Sequence, residues 1–507
     1  MNRSIRSGLA LSLALVGTAG CKDWLTGPGK TINPNSPISA SAAQQLISVQ
    51  ASAWTRFEGQ LARNASIWTQ QIIGSNNQQL IYGTQYQYTE DVVGGQMTGF
   101  YTGGGLVGMR NVQSLANAGG DPFLEGVGKI WEGLSFGTAA SIWGDLPYSE
   151  AVSAVTAPKL DAQLDIYTAV QAKLDTGITL LQSAPTTGSC EPADVVYCAT
   201  ITTTRALQIT RWVKAANTIK ARFYLHLAER NGAAAYTLAL AAAQKGIDEV
   251  PTSANNAMDG QGPGDFRSWH GSTLDQDGNI WAEFLTSRLD LAAGDVMVQT
   301  LKAHCPTCAG GVDPRLSRYF DPAAGQFVGK DKNNNSVPSG ATASGINTAI
   351  RRQFPFRQPM VTWSENQLII AEASCSPNVT INPPSTTCTN AGGVVAALTA
   401  LNAVRTAVGL PALGAFSATP LVDIMTEKYI VQFQNIDVWN DWKRTCQPNT
   451  IHPYTGATEV PGRMNYAQAE RNANANIPAP NVYPAGTSAA PLASPFRNWN
   501  DPNACPP

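Results

Sequence analysis

Charge is scarce in this chain. Only 14% of its 507 residues are Asp, Glu, Lys or Arg, well below the roughly 25% of an ordinary globular protein. The formal charge is −2 and no Lys/Arg cluster stands out, which argues against a nucleic-acid-binding surface. No apolar stretch after Val16 reaches the ~20 residues a membrane-spanning helix needs. Strand-like alternation is weak, with 195–202 and 349–356 as short candidates. Neither an HExxH nor a P-loop pattern is present, which removes two common readings of catalysis. The length exceeds the roughly 250–300 residues of a single core, so two lobes or a repeat architecture are expected.

What is present begins at the first two dozen residues. Arg3 and Arg6 precede a short apolar run, Leu9 to Val16, and Thr18-Ala19-Gly20 lead directly to Cys21. This is the layout of a bacterial lipoprotein signal, with small residues for the peptidase groove and a thiol to receive the lipid. The expectation is a signal peptide at 1–20, a lipidated Cys21, and a Pro/Gly/Asn-rich tether over 21–40. The body, 41–507, would then hang outside the cytoplasm. The other eight cysteines fall into close pairs, Cys190 with Cys198, Cys305 with Cys308 and Cys375 with Cys388, leaving Cys446 with Cys505. Four disulfides fit an oxidising compartment. Cys305-Pro-Thr-Cys308 beside His304 also permits a redox or metal reading, but no second CxxC supports it.

From Ser41, a candidate cap, helical periodicity dominates. Leu46, Val49, Ala53 and Phe57 form one apolar face, and Tyr167, Val170, Leu174, Ile178 and Leu181 another. Further helices are expected over 129–143, 211–230, 233–246, 362–374, 392–408 and 420–444. Between them lie long Gly/Asn/Pro/Ser-rich stretches at 74–104, 250–290, 309–348 and 445–507. The fold class expected is mainly α, a tetratricopeptide-like helical-repeat scaffold with long irregular loops and few short strands.

Several segments, taken in order, resemble one family. Trp143-Gly144-Asp145-Leu146-Pro147-Tyr148 with Ile166-Tyr167 is similar to the "WGDvPY…iY" passage of SusD/RagB-type outer-membrane lipoproteins. WVKAANTIKAR (Trp212 to Arg222), ENQLIIAEA (Glu365 to Ala373) and LNAVR (Leu401 to Arg405) resemble three of its helices. EKYIVQF from Glu427, DVWNDWKRT from Asp437, and Arg463-Met464-Asn465-Tyr466 with Glu470 resemble its closing elements in the SusD-like branch. Cys446, Gln432 and Ala467 depart from the family's usual Gly, Glu and Pro. Physically these motifs look structural: Gly144 for a tight turn, Asp145 for backbone amides, Pro147 to end a helix, and Asp441–Arg444 for an ion pair.

The resemblance implies a nutrient-capture protein without catalytic activity or cofactor. It would sit as a lid on a TonB-dependent SusC-like transporter, hold an oligosaccharide or a peptide, and touch the membrane through lipid alone. Glycan is favoured by the neutral polar and aromatic composition, with 12 Trp and 14 Tyr. Candidate contacts are Tyr82, Tyr86 and Tyr101 in the first long loop, and Phe266, Trp269 and Trp281 in the second. Asp275-Gln276-Asp277-Gly278-Asn279 has alternating oxygen donors, but Thr286 stands where a calcium loop needs Glu, so no metal is expected. Rival readings from other classes are a glycoside hydrolase, which needs two carboxylates across a cleft, and a helical adaptor for other proteins.

Overall fold

The computed structural model describes residues 40–198, 204–272, 277–479 and 497–506. The signal, Cys21 and nearly all of the tether lie outside these residues. The principal helices are α1 (Ala42–Glu58), α2 (Gln60–Trp68), α3 (Leu106–Ala118), α4 (Pro122–Trp143), α5 (Gln163–Ser183), α6 (Arg205–Leu225) and α7 (Ala233–Ala243). After these come α8 (Ile280–Thr286), α9 (Asp295–His304), α10 (Trp363–Cys375), α11 (Val394–Ala407), α12 (Pro420–Val431) and α13 (Asp437–Thr445). Short antiparallel ladders pair β1 (Ile72–Gly74) with β3 (Leu291–Ala293), and β2 (Phe266–Arg267) with β4 (Pro359–Val361). No described helix is long and apolar enough to cross a membrane.

The helices stack in succession. α1 packs on α3, α3 on α4, α4 on α5, α5 on α6, α6 on α7, α7 on α10, and α10 on α11 and α12. This is the solenoid-like order of a helical-repeat scaffold, in which each pair buries the next. Ser41 begins the series with a capping box, accepting from Gln44 N while the Gln44 side chain accepts from Ser41 N. Close crossings depend on glycine. A Cβ on Gly137 would stand 2.2 Å from the Phe223 ring, and one on Gly126 would stand 2.9 Å from Gly177 O.

The family-like segments meet in the interior. Arg222 of α6 forms a two-pronged bond to Glu365 of α10, at 2.6 Å on each prong, and reaches Asp437 of α13 at 2.7 Å. Burial alone would lower the Arg222 guanidinium, but Asp437 and Glu365 outweigh it and hold it above its ordinary range. Arg444 joins Glu372 and Asp441, and Lys428 reaches the same Asp441 at 2.8 Å. A second cluster gathers Arg315, Asp313, Glu427, His304 and Arg405. The Trp143 indole donates to Asn465 O, and the Tyr466 hydroxyl donates to Asp145 O, locking the first motif to the last.

Three local expectations are corrected. The 420–444 helix breaks into α12 and α13 at Gln434, where φ is 66° and Asn435 turns to donate to Pro359 O and Met360 O. Residues 349–356 form turns around the buried Arg351 side chain, which lies over Tyr319 and Phe356, and the strand begins only at Pro359. Residues 195–198 are a turn nucleated by Asp194, whose carboxylate accepts from Val196 N, and 199–202 lie outside the described residues. Gly133-Leu134-Ser135-Phe136-Gly137 has the GxSxG spacing of a nucleophile elbow, but Ser135 is fully buried inside α4 and away from any strand–helix turn.

All four cysteine pairs are disulfides: Cys190–Cys198, Cys305–Cys308, Cys375–Cys388 and Cys446–Cys505. His304 turns from the CxxC to Asp313, 2.7 Å away.

Two outcomes test this account. Arg222→Met leaves two carboxylates without their shared cation, and should lower the unfolding free energy by about 3–5 kcal/mol in a denaturant titration. A loss below about 1 kcal/mol would show that the network is not a structural constraint. Cys446–Cys505 spans 59 residues against 3 for Cys305–Cys308. Serine replacement of the first pair should therefore cost about 4 kcal/mol and of the second about 2 kcal/mol. Equal losses would contradict the loop-closure argument.

Candidate functional site

The β1–β3 ladder brings the two aromatic loops of the sequence to one place. Ile72 pairs with Ala293 and Gly74 with Leu291. Beyond the ladder, Ser75 N donates to Asp290 O at 2.7 Å, Asn76 to Leu289 O at 2.9 Å, and Asn77 to the Asp290 carboxylate at 2.8 Å. Gly74 allows the tight return, since a Cβ there would lie 1.9 Å from Gln79 O.

Helix α8 rises from the second loop, capped by Asn279, whose side-chain oxygen accepts from Trp281 N and Ala282 N. It packs against α1. Residues of α1, α8 and the second loop, together with Val195, enclose a cavity of about 450 Å³. Its walls include Ile47, Ala51, Trp54 and Thr55 from α1, and Trp269, His270, Asp277, Gly278, Ile280 and Glu283. Trp269 is half-buried there, and Ile47 is 47% exposed. The Trp54 ring meets His270 edge-on at 6.3 Å and Trp131 at 5.7 Å, which ties the cavity wall to the core.

His270 is fixed from both sides. Its Nε2 lies 2.9 Å from Glu58 Oε2 at the end of α1, and its Nδ1 lies 3.1 Å from Asp277 O. Burial works against its charge, but the Glu58 carboxylate and the Asp277 carbonyl outweigh this and raise it above the usual histidine range.

A second group lies at the joined loops. Arg63 of α2 stands 4.2 Å over the half-buried Phe284 ring, Arg288 lies over the same ring at 5.2 Å, and Leu289 is 80% exposed. Burial pushes the Arg63 guanidinium down to about 10. Tyr82 is half-buried, 6.3 Å from Tyr88.

Of the six aromatics singled out from sequence, Trp269 lines the cavity and Tyr82 reaches the surface at the joined loops. The others serve packing. Phe266 and Trp281 are fully buried, with Phe266 between Trp131 at 4.9 Å and Trp212 at 5.1 Å. Tyr86 is buried and its hydroxyl accepts from Tyr454 N. Tyr101 packs on Phe136 at 5.5 Å, and burial holds its phenol well above the ordinary range. Trp54 and Ile47 were missed. They lie seven residues apart with Ala51 between them, a second apolar stripe beside Leu46, Val49, Ala53 and Phe57. Among the described residues no cluster of His, Cys, Asp and Glu could hold a metal ion, and Asp275 and Gln276 lie outside them.

The raised His270 predicts a direction of pH dependence. Its contribution to stability is complete below the unfolded value near 6.5 and is lost as pH rises through the higher folded value. Melting temperatures from pH 5 to 9 should therefore fall more steeply towards alkali in the native chain than in His270→Gln. Parallel profiles would refute the pairing with Glu58.

Comparison with known proteins follows from this geometry. A SusD-like family model, described as starch-binding associating with outer membrane, matches residues 34–467. No curated protein matches the chain. Among solved structures, a chitin-binding protein is 20% identical, covers 91% of this chain and 100% of its own, and superposes with a TM-score of 0.67. A chitin-binding SusD homolog from Flavobacterium johnsoniae is 17% identical over 92% of this chain and 98% of its own, with a TM-score of 0.66. A SusD/RagB family protein from Bacteroides thetaiotaomicron is 19% identical over 91% and 99%, with a TM-score of 0.63. At these identities the structures speak for the fold, and the family model covers most of the sequence. The chain belongs to the SusD-like family.

Proposed function

We propose that this protein is a surface lipoprotein, anchored through Cys21, that captures an oligosaccharide in the Trp269 cavity. It would hand the sugar to a partner TonB-dependent SusC-like outer-membrane transporter. The observation that carries the reading is Trp269, a half-buried indole in a cavity of about 450 Å³ that also holds polar side chains. A pyranose presents C–H groups on its faces and hydroxyls on its rim. An indole face suits the first, and Thr55 and the Asp277 and Glu283 carboxylates suit the second. The family's description and two chitin-binding structural neighbours support a glycan over a peptide.

Binding, not bond cleavage, is the function proposed, with no cofactor and no nucleic acid. Asp277 and Glu283 line the same cavity and supply the one observation that favours a hydrolase. The deciding experiment is calorimetric titration of the full-length protein, in mild detergent, with maltohexaose and chitohexaose, followed by product analysis. The expected result is binding without cleavage, weakened about tenfold in Trp269→Ala while its melting temperature holds. Shortened products would favour the hydrolase, and undiminished affinity in Trp269→Ala would move the site elsewhere. Affinity purification from the native membrane should recover a TonB-dependent barrel, and recovery of this chain alone would count against the transporter partnership.

A further inference from the structure

A second cavity, of about 360 Å³, lies where the turn after α4, the first turn of α5 and the segment Arg497–Trp499 meet. It shares no lining residue with the Trp269 cavity. Three features of its wall have no role in the packing already described.

Arg497 is 4% exposed; its Nη2 donates to Glu459 at 2.6 Å, but its Nε and Nη1 have no partner. Asn498 is 3% exposed; its Nδ2 donates to Ser141 O at 2.8 Å, which fixes the amide and leaves Oδ1 unpartnered. That oxygen would stand 2.8 Å from a Cβ at Gly144, so the glycine (φ 78°) keeps the space beside it open. Trp499 is 39% exposed, with the Arg230 guanidinium 5.2 Å over its ring. A buried donor or acceptor without a partner is costly, so such groups persist where something else completes them.

The donor set decides the ligand class. An anion would use the Arg497 N–H groups, with Arg463 a second cation in the wall, but it would meet the carboxylates of Asp145 and Asp165 there and Glu459 beside Arg497. An apolar ligand would leave the N–H groups and the Asn498 oxygen unsatisfied. A sugar hydroxyl both donates and accepts, and so answers both. The half-open indole suits the face of the ring that carries those hydroxyls.

We propose that this cavity is a second saccharide site, taking one neutral pyranose unit. Arg497 donates to its hydroxyls, Asn498 Oδ1 accepts from one, and Trp499 stacks on its face. The site rests on the proposed function only for the class of ligand, because its residues are separate. A glycan chain held at both cavities would gain from the second contact being intramolecular.

The test silences the first cavity. Maltotriose and chitotriose are titrated into full-length protein carrying Trp269→Ala, then into the same background with Trp499→Ala, Arg497→Leu or Trp499→Phe. The expected result is residual binding in Trp269→Ala that falls about tenfold with Trp499→Ala or Arg497→Leu and is largely retained with Trp499→Phe. Melting curves confirm that the C-terminal segment stays docked in each variant. Native protein that binds while Trp269→Ala does not would overturn the second site and leave the proposed function standing. Residual binding indifferent to Arg497 and Trp499 would also overturn it. Native protein that binds neither sugar would count against both.

Discussion

One guanidinium, that of Arg222, answers two buried carboxylates, Glu365 and Asp437, each supplied by a different helix. All three side chains are nearly sealed from solvent, so water cannot replace a missing partner. Desolvating charges is expensive, and the cost is offset only when the geometry is right. α6, α10 and α13 therefore have few alternative registers. The same logic continues through Arg444, Glu372, Asp441 and Lys428, which couple α10, α12 and α13. What reads in the sequence as a scatter of short family-like words is a set of charges that must meet in one place.

A scaffold fixed in this way relieves the loops of holding the fold together. The Trp269 cavity uses that freedom while resting on rigid parts. Its floor is helix α1, which buries one apolar stripe in the core and offers a second to the cavity. Glu58, at the end of α1, anchors His270 from below, and Trp54 carries the wall through to Trp131. Side chains placed on helices in this manner hold their positions more precisely than those on loop tips.

The sequence was most legible where the physics is periodic or paired. The helix at 165–182 follows from apolar spacing, as does that at 211–230 up to Leu225, where a turn ends it. Three disulfides follow from close cysteine pairs and the fourth from the two cysteines left over. Asp441 and Arg444, three apart on a helix, meet at 2.7 Å. What it concealed was depth. Trp269 and Trp281 occupy similar Gly/Asp-rich surroundings, yet one lines a cavity and the other is fully buried, because α8 turns Trp281 inward just after its Asn279 cap. Trp54 and Ile47 were hidden by the stronger core stripe beside them. Arg497 and Trp499 sit in a Pro/Asn-rich tail whose composition gives no hint that it docks against the turn at Gly144. The break at Gln434 was equally silent, since no Gly or Pro marks it between 421 and 444.

The ladder between β1 and β3 changes what counts as a unit for anyone transplanting specificity among such proteins. Three residues on each side, with the Asn76 and Asn77 bonds beyond them, make the loops near 80 and near 285 a single mechanical piece. Grafting one of them from a relative would strand its hydrogen-bond partners on the other and leave Arg63 facing an unmatched ring. A working chimera would have to exchange both loops together, as one cassette with two insertion points more than two hundred residues apart in the gene.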